Sequence, residues 1–132
     1  MKKNNNGFSL VELIIVIAIM AVLVGVLAPQ FIKYVEQSRR SRDISTAQEI
    51  REACLADIAD GKITTNATSE DVSSGSFTTF NETPVVSGHA VADGTKFKYS
   101  CNPTSGTCSV SVGTWVLTTE AGASDYKTAP NV

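Results

Sequence analysis

A glycine, an aromatic residue and a lone carboxylate stand at Gly7, Phe8 and Glu12, at the start of a long apolar run. Gly7 has no side chain, so another group could approach the backbone closely there. Hydrolysis of the bond between Gly7 and Phe8 would free an α-amine on Phe8, with an unperturbed pKa of about 8. That amine would be largely positive at neutral pH. Glu12 lies four residues further on, about one helical turn away. Isolated in an apolar medium, either charge is very costly; paired, each offsets much of the other's desolvation. Two such opposite charges one turn apart are suited to association.

The elements that must position these groups follow from the apolar pattern. From Phe8 to Ala28 the run would reach about 31 Å as a helix, enough to cross a hydrocarbon core. An ordinary secretory signal has a shorter apolar core and a small-residue cleavage site on its far side. Here the far side reads Val26-Leu27-Ala28-Pro29, which matches such a site only loosely. A plain anchor accounts for the span but not for Glu12, because a charge within a membrane segment is rare and costly. The 132 residues carry a net charge of −2; loss of Lys2 and Lys3 would leave 9 basic and 13 acidic side chains, a net −4. Net charge alone gives no reason to expect a nucleic-acid ligand.

The stretch Gly7-Phe8-Ser9-Leu10-Val11-Glu12 resembles the processing motif of type IV pilins and their pseudopilin relatives. The resemblance covers about residues 2–35. It implies a leader, residues 1–7, removed by a membrane peptidase that cuts after Gly7 and N-methylates Phe8. It implies that residues 8–32 remain, first as a single-pass anchor in the cytoplasmic membrane with the N-terminus inside, then as the core of an extracellular filament. Glu12 and the Phe8 amine would form the assembly charge pair. The implied partners are copies of the same chain, the prepilin peptidase and methyltransferase, an inner-membrane assembly platform with its ATPase, and minor pilins. The implied function is a filament subunit serving adhesion, surface motility or DNA uptake. A pseudopilin of a type II secretion or competence system is the alternative, and a membrane-anchored binding domain that never polymerises is the alternative of another class. Pro29 matches a position where many members carry a helix-breaking proline. Members often have glycine at the position of Ala21, whereas this chain has Gly25 a turn later, so Gly25 and Pro29 mark the expected helix break. Lys33, Arg39, Arg40 and Arg42 outnumber Lys2 and Lys3. By basic-residue count alone the far side would be cytoplasmic, the reverse of what the motif implies.

Residues 33–60 read as an amphipathic continuation of the helix. Ile44, Ala47, Ile50, Cys54, Leu55 and Ile58 recur at helical spacing between charged residues. Asp60-Gly61 offers a stop, with Gly61 suited to the left-handed cap position. Arg39-Arg40-Ser41-Arg42 reads as a solvated collar near headgroups, or as a partner for Asp57, Glu49 or Glu52 of another copy. Residues 61–132 read as a connecting loop, an antiparallel sheet and a tail. Lys62–Ser76 is loop by composition, with room for short strand character. The candidate strands are Phe77–Phe80, Val85–Val91, Lys96–Cys101, Cys108–Val112 and Thr114–Leu117. Residues 119–132 are expected to be only partly ordered. The predicted class is α+β: a long N-terminal helix packed on a small antiparallel meander.

Cys101 and Cys108 flank a turn-rich linker, and a hairpin would bring them near bonding distance in an oxidising compartment. Pairing of Cys54 with either is the alternative, and Cys54 otherwise reads as a buried thiol. His89 and the scattered cysteines lack metal-ligand spacing. Calcium enters only on the pseudopilin reading, through Asp93, Glu120 and Asp125. No other cofactor is expected, and no catalytic constellation is evident. Trp115, Tyr99 and Tyr126 could make a recognition patch, but core packing is the expected role of Trp115.

Overall fold

The computed structural model describes residues 6–132, so Lys2, Lys3 and most of the expected leader lie outside the described residues. The chain divides into two compact units, one ending at Val35 and the other running from Glu36 to Val132. Helix α1, Leu10–Ala59, contributes to both. Four strands follow: β1 Ala67–Asp71, β2 Phe97–Asn102, β3 Thr107–Val112 and β4 Trp115–Val116. A second helix, α2, occupies Glu120–Thr128.

The first unit is apolar on every side. Its large hydrophobic side chains from Phe8 to Ile32 are 47–93% exposed, which is unusual for a helix in water and ordinary for one in lipid or a filament core. The break expected at Gly25 and Pro29 is absent: α1 is helical through both. A proline removes one donor and crowds one turn, and an interior glycine costs only about 1 kcal/mol. Neither is enough to end a helix whose neighbouring bonds are intact.

In the second unit one face of α1 joins the sheet. Ala47, Ile50, Ala53 and Cys54 share a core with Phe97, Cys101, Cys108, Val110 and Val112 from the strands. The sheet is antiparallel in the order β1-β2-β3-β4. Asn102 Oδ1 accepts from the amides of Thr104 and Ser105 at 3.0 and 3.2 Å and shapes the β2–β3 turn. The α+β class and the meander are as the residue pattern predicts. Helix α1 ends with Gly61 in the left-handed region at φ 72°, its amide donating to Ile58 O at 3.0 Å.

Two expected strands, Phe77–Phe80 and Val85–Val91, are loops. Their amides go to carboxylates on α1 instead of to a neighbouring strand. Thr78 N donates to Asp57 Oδ2 at 2.7 Å, Ser87 N and Gly88 N to Asp43 at 2.8 Å each, and His89 N to Glu36 Oε1 at 2.6 Å. Conversely β1 forms within the stretch read as loop, by pairing Ala67 with Cys101 and Asp71 with Lys98. The expected tail holds α2, capped by Thr119 Oγ1, which accepts from Gly122 N at 3.2 Å.

Arg40 is no solvated collar residue: it is 3% exposed. Its guanidinium donates to the carbonyls of Tyr126, Lys127 and Ala129 and to Asn131 Oδ1, and pairs with Glu36 at 2.8 Å. It thereby satisfies the open carbonyl end of α2. Asp57 is buried and occupied within its own chain, so it is not an intermolecular partner for the arginines. Tyr126 is fully buried against Trp115, with ring centroids 5.7 Å apart and its hydroxyl donating to Asp43 at 2.6 Å, which dissolves the supposed aromatic patch.

A Cβ on Gly88 would lie 2.6 Å from Tyr126 Oη and 2.8 Å from Arg40 Cγ. Gly88→Ala is expected to destabilise the second unit by about 1–3 kcal/mol, the usual cost of overpacking. A lower urea midpoint with an unchanged slope in equilibrium unfolding is the expected readout.

The carboxyls of Glu36 and Asp57 titrate below their ordinary range: burial opposes this, but hydrogen bonds from Arg40 and His89, and from Thr78 with the Lys62 charge, outweigh it. Their folded pKa values lie below the unfolded ones, so unfolding takes up protons in acid. The stability they contribute is complete above the unfolded values of about 4 and is lost as pH falls through the folded ones. Unfolding midpoints measured from pH 7 to pH 3 should drop steeply below about pH 4, and Asp57→Asn should flatten that slope while lowering stability at pH 7.

Candidate assembly site at the N-terminus

The site is built on the first turn of α1. Ser9 is the N-cap: its carbonyl accepts from Leu13 N at 3.2 Å, the first bond of the helix. Its hydroxyl accepts from Glu12 N at 3.2 Å, and Glu12 Oε2 accepts from Ser9 N at 2.8 Å. This reciprocal pair is a capping box, and it satisfies two amides that the helix start would otherwise leave open. Glu12 also sits where its charge faces the positive end of the helix dipole.

The sequence reading missed this role for Glu12. The signal was present as Ser9-x-x-Glu12 ahead of an apolar run.

Gly7 and Phe8 precede the helix outside any regular element and are exposed, Phe8 at 93%. A peptidase would therefore meet the Gly7–Phe8 bond as unwound chain. Phe8, Glu12, Leu13, Ile15 and Val16 line an open, mainly apolar groove of about 550 Å³. Gly7, Phe8 and Glu12 are thus brought together over barely more than one turn, while Gly25 and Pro29 lie along the helix and take no part.

The three cysteines lie elsewhere, in the second unit, and all are buried free thiols, so the expected Cys101–Cys108 bond is absent. The two stand directly opposite each other in the β2–β3 ladder. His89 is an exposed loop residue hydrogen-bonded through Nδ1 to Glu36 Oε2 at 2.8 Å, not a strand residue. Asp93, Glu120 and Asp125 are not gathered into a ligand set among the described residues.

Residues 2–28 match the model of the prokaryotic N-terminal methylation motif. The N-terminal region is similar to that of type IV fimbrial proteins. A type IV major fimbrial protein, FimA, of Dichelobacter nodosus is 40% identical over 65 residues, covering 47% of this chain and 42% of that protein. A fimbrial protein of Pseudomonas aeruginosa is 34% identical over 70 residues, covering 52% of this chain and 46% of that protein. The chain therefore matches less than half the length of these curated relatives. No solved structure matches.

Ser9→Ala should unprotect the Glu12 amide, and Glu12→Ala the Ser9 amide, whereas Glu12→Gln should keep both because its side-chain carbonyl still accepts. Amide hydrogen exchange of the full chain in detergent micelles reads this directly. The loss of one cap corresponds to about 1 kcal/mol, or roughly fivefold faster exchange in the first turn.

Proposed function

We propose that this chain is a structural, non-catalytic pilin subunit that polymerises into an extracellular type IV filament through its apolar helix. The observation that carries the reading is a methylation motif placed on an unwound Gly7–Phe8 junction, one turn before Glu12, on a helix whose apolar side chains are exposed all round. In this reading the precursor is anchored in the cytoplasmic membrane by residues 8–32 with its N-terminus inside. The peptidase removes residues 1–7 and the Phe8 amine is methylated. The second unit is then carried outside the cell on the filament.

Within the filament the amine of an incoming copy seeks the Glu12 carboxylate of a copy already in place. Pairing between chains fixes an axial register, because a mismatch would leave two buried charges unpaired. The groove beside Glu12 offers apolar walls for the neighbour's Phe8 ring. The assembly platform, its ATPase and minor pilins are the partners this route requires. That the similar proteins of Dichelobacter nodosus and Pseudomonas aeruginosa are named as fimbrial proteins favours the pilin over the pseudopilin reading.

Glu12→Gln separates the two roles of this residue, since it keeps a side-chain acceptor for the cap and removes the charge. The expected outcome is a folded second unit with filament yield reduced at least about tenfold, a loss of roughly 1.4 kcal/mol or more in assembly. Filament yield at the level of the unmodified chain would refute the charge pair. Intact mass of filaments sheared from cells should give a chain beginning at Phe8 with one added methyl group; a chain beginning at Met1 in normal filaments would refute processing.

A further inference from the structure

Cys54, Cys101 and Cys108 converge from three elements of the second unit, and nothing in the assembly reading uses them. Cys101 and Cys108 face each other across the β2–β3 ladder with both side chains turned to the core. Cys54 is fully buried on the face of α1 that joins the same core. Arg51, one turn before Cys54 on that helix, donates Nε to the Cys108 carbonyl at 3.2 Å. That bond holds the turn carrying Cys54 against Cys108. The cluster is not sealed. An open pocket of about 250 Å³ is lined by Cys101 and Cys108 together with Ala67, Ser100, Asn102 and Thr107. Cys54 is not part of that lining and lies behind it.

We infer that these residues form an oxidative modification site that accepts a small disulfide donor, and that the bond it forms joins Cys54 to Cys108, tying α1 to β3. Cys108 lines the pocket and is the most accessible of the three, 8% exposed against 5% for Cys101 and 0% for Cys54. The neighbouring Cys54 thiol holds Cys108 below the usual thiol range against the effect of burial, and the Arg51 charge adds to this. Burial pushes Cys101 up instead. Cys54 is raised, first by the neighbouring Cys108 thiol and then by burial, and so stays protonated until a mixed disulfide forms.

The steps balance. The Cys108 thiolate attacks one sulfur of the donor disulfide, forming a mixed disulfide and expelling one thiolate. The Cys54 thiol gives its proton to that thiolate or to water and attacks the Cys108 sulfur, expelling the second donor half. Two protein thiols are oxidised to one disulfide, and one donor disulfide is reduced to two thiols. Cys101 remains a thiol in this reaction, which consumes only Cys54 and Cys108.

The test uses the reduced full-length chain in detergent micelles, treated with glutathione disulfide, quenched with N-ethylmaleimide and digested with trypsin. Residues 52–62 carry Cys54 and residues 99–127 carry both other cysteines. The expected product is these two peptides linked, with the loss of two hydrogens and one maleimide on Cys101, and the same linkage from Cys101→Ala. Peptide 99–127 lighter by two hydrogens with Cys54 alkylated would overturn the inference. So would a maleimide on Cys108 in a linked pair, or three alkylated thiols. The readout involves no filament, so it stands or falls apart from the assembly reading.

Discussion

The second unit depends on one arrangement: carboxylates on a single face of α1 that accept backbone amides from chain distant in sequence. Glu36, Asp43 and Asp57 are separated by 7 and 14 residues, whole heptads that keep them on one stripe of a helix. Each receives at least one amide from the long connection between β1 and β2. That connection has almost no ladder of its own, and its buried donors would otherwise go unpaired at about 1–3 kcal/mol each. The helix therefore supplies hydrogen-bond acceptors as well as an apolar face. Arg40 reverses the polarity, donating from the same helix to the carbonyl end of α2.

This explains what was legible in the sequence and what was not. The long helix, its Gly61 stop and the strands β2, β3 and β4 were legible, because periodicity and turn residues are local signals. The loops at 77–80 and 85–91 were not, since Val85, Val86 and Val91 have the β-branched character of a strand. The fate of the first was decided by Asp57, 21 residues away, and that of the second by Asp43 and Glu36, 44–53 residues away. The heptad spacing of the three acids was visible, but an acidic stripe on a helix usually means a solvated face. β1 was hidden by a Thr-Ser-Glu-Asp composition that suits a loop, and its pairing with β2 includes a register shift between Ala67 and Glu70. Thr119, Glu120 and Lys127 are sound end signals for α2, but Gly122 inside it lowers helix propensity.

At the candidate site, Gly7, Phe8 and Glu12 were legible because motif, spacing and charge all converged there. Arg40 was misread for the opposite reason. It stands in a run of three arginines, and composition cannot tell which one a helix turns inward. The burial of Arg40 beside the exposed Arg39 and Arg42 follows from helical geometry: Arg40, Asp43 and Ala47 share the inward face.

Glu12 belongs to the same pattern as the acids further along α1, since it too accepts a backbone amide. The difference lies in what surrounds it. Glu36, Asp43 and Asp57 are enclosed by their own chain, whereas Glu12 stands on an exposed apolar helix end. The cap uses Oε2, and a carboxylate can accept several bonds, so capping leaves capacity for a further donor. Capping also orients the carboxylate before any partner arrives, which lowers the ordering cost of a pairing. A residue that starts the helix can therefore also define where the next copy stops, without moving between the two tasks.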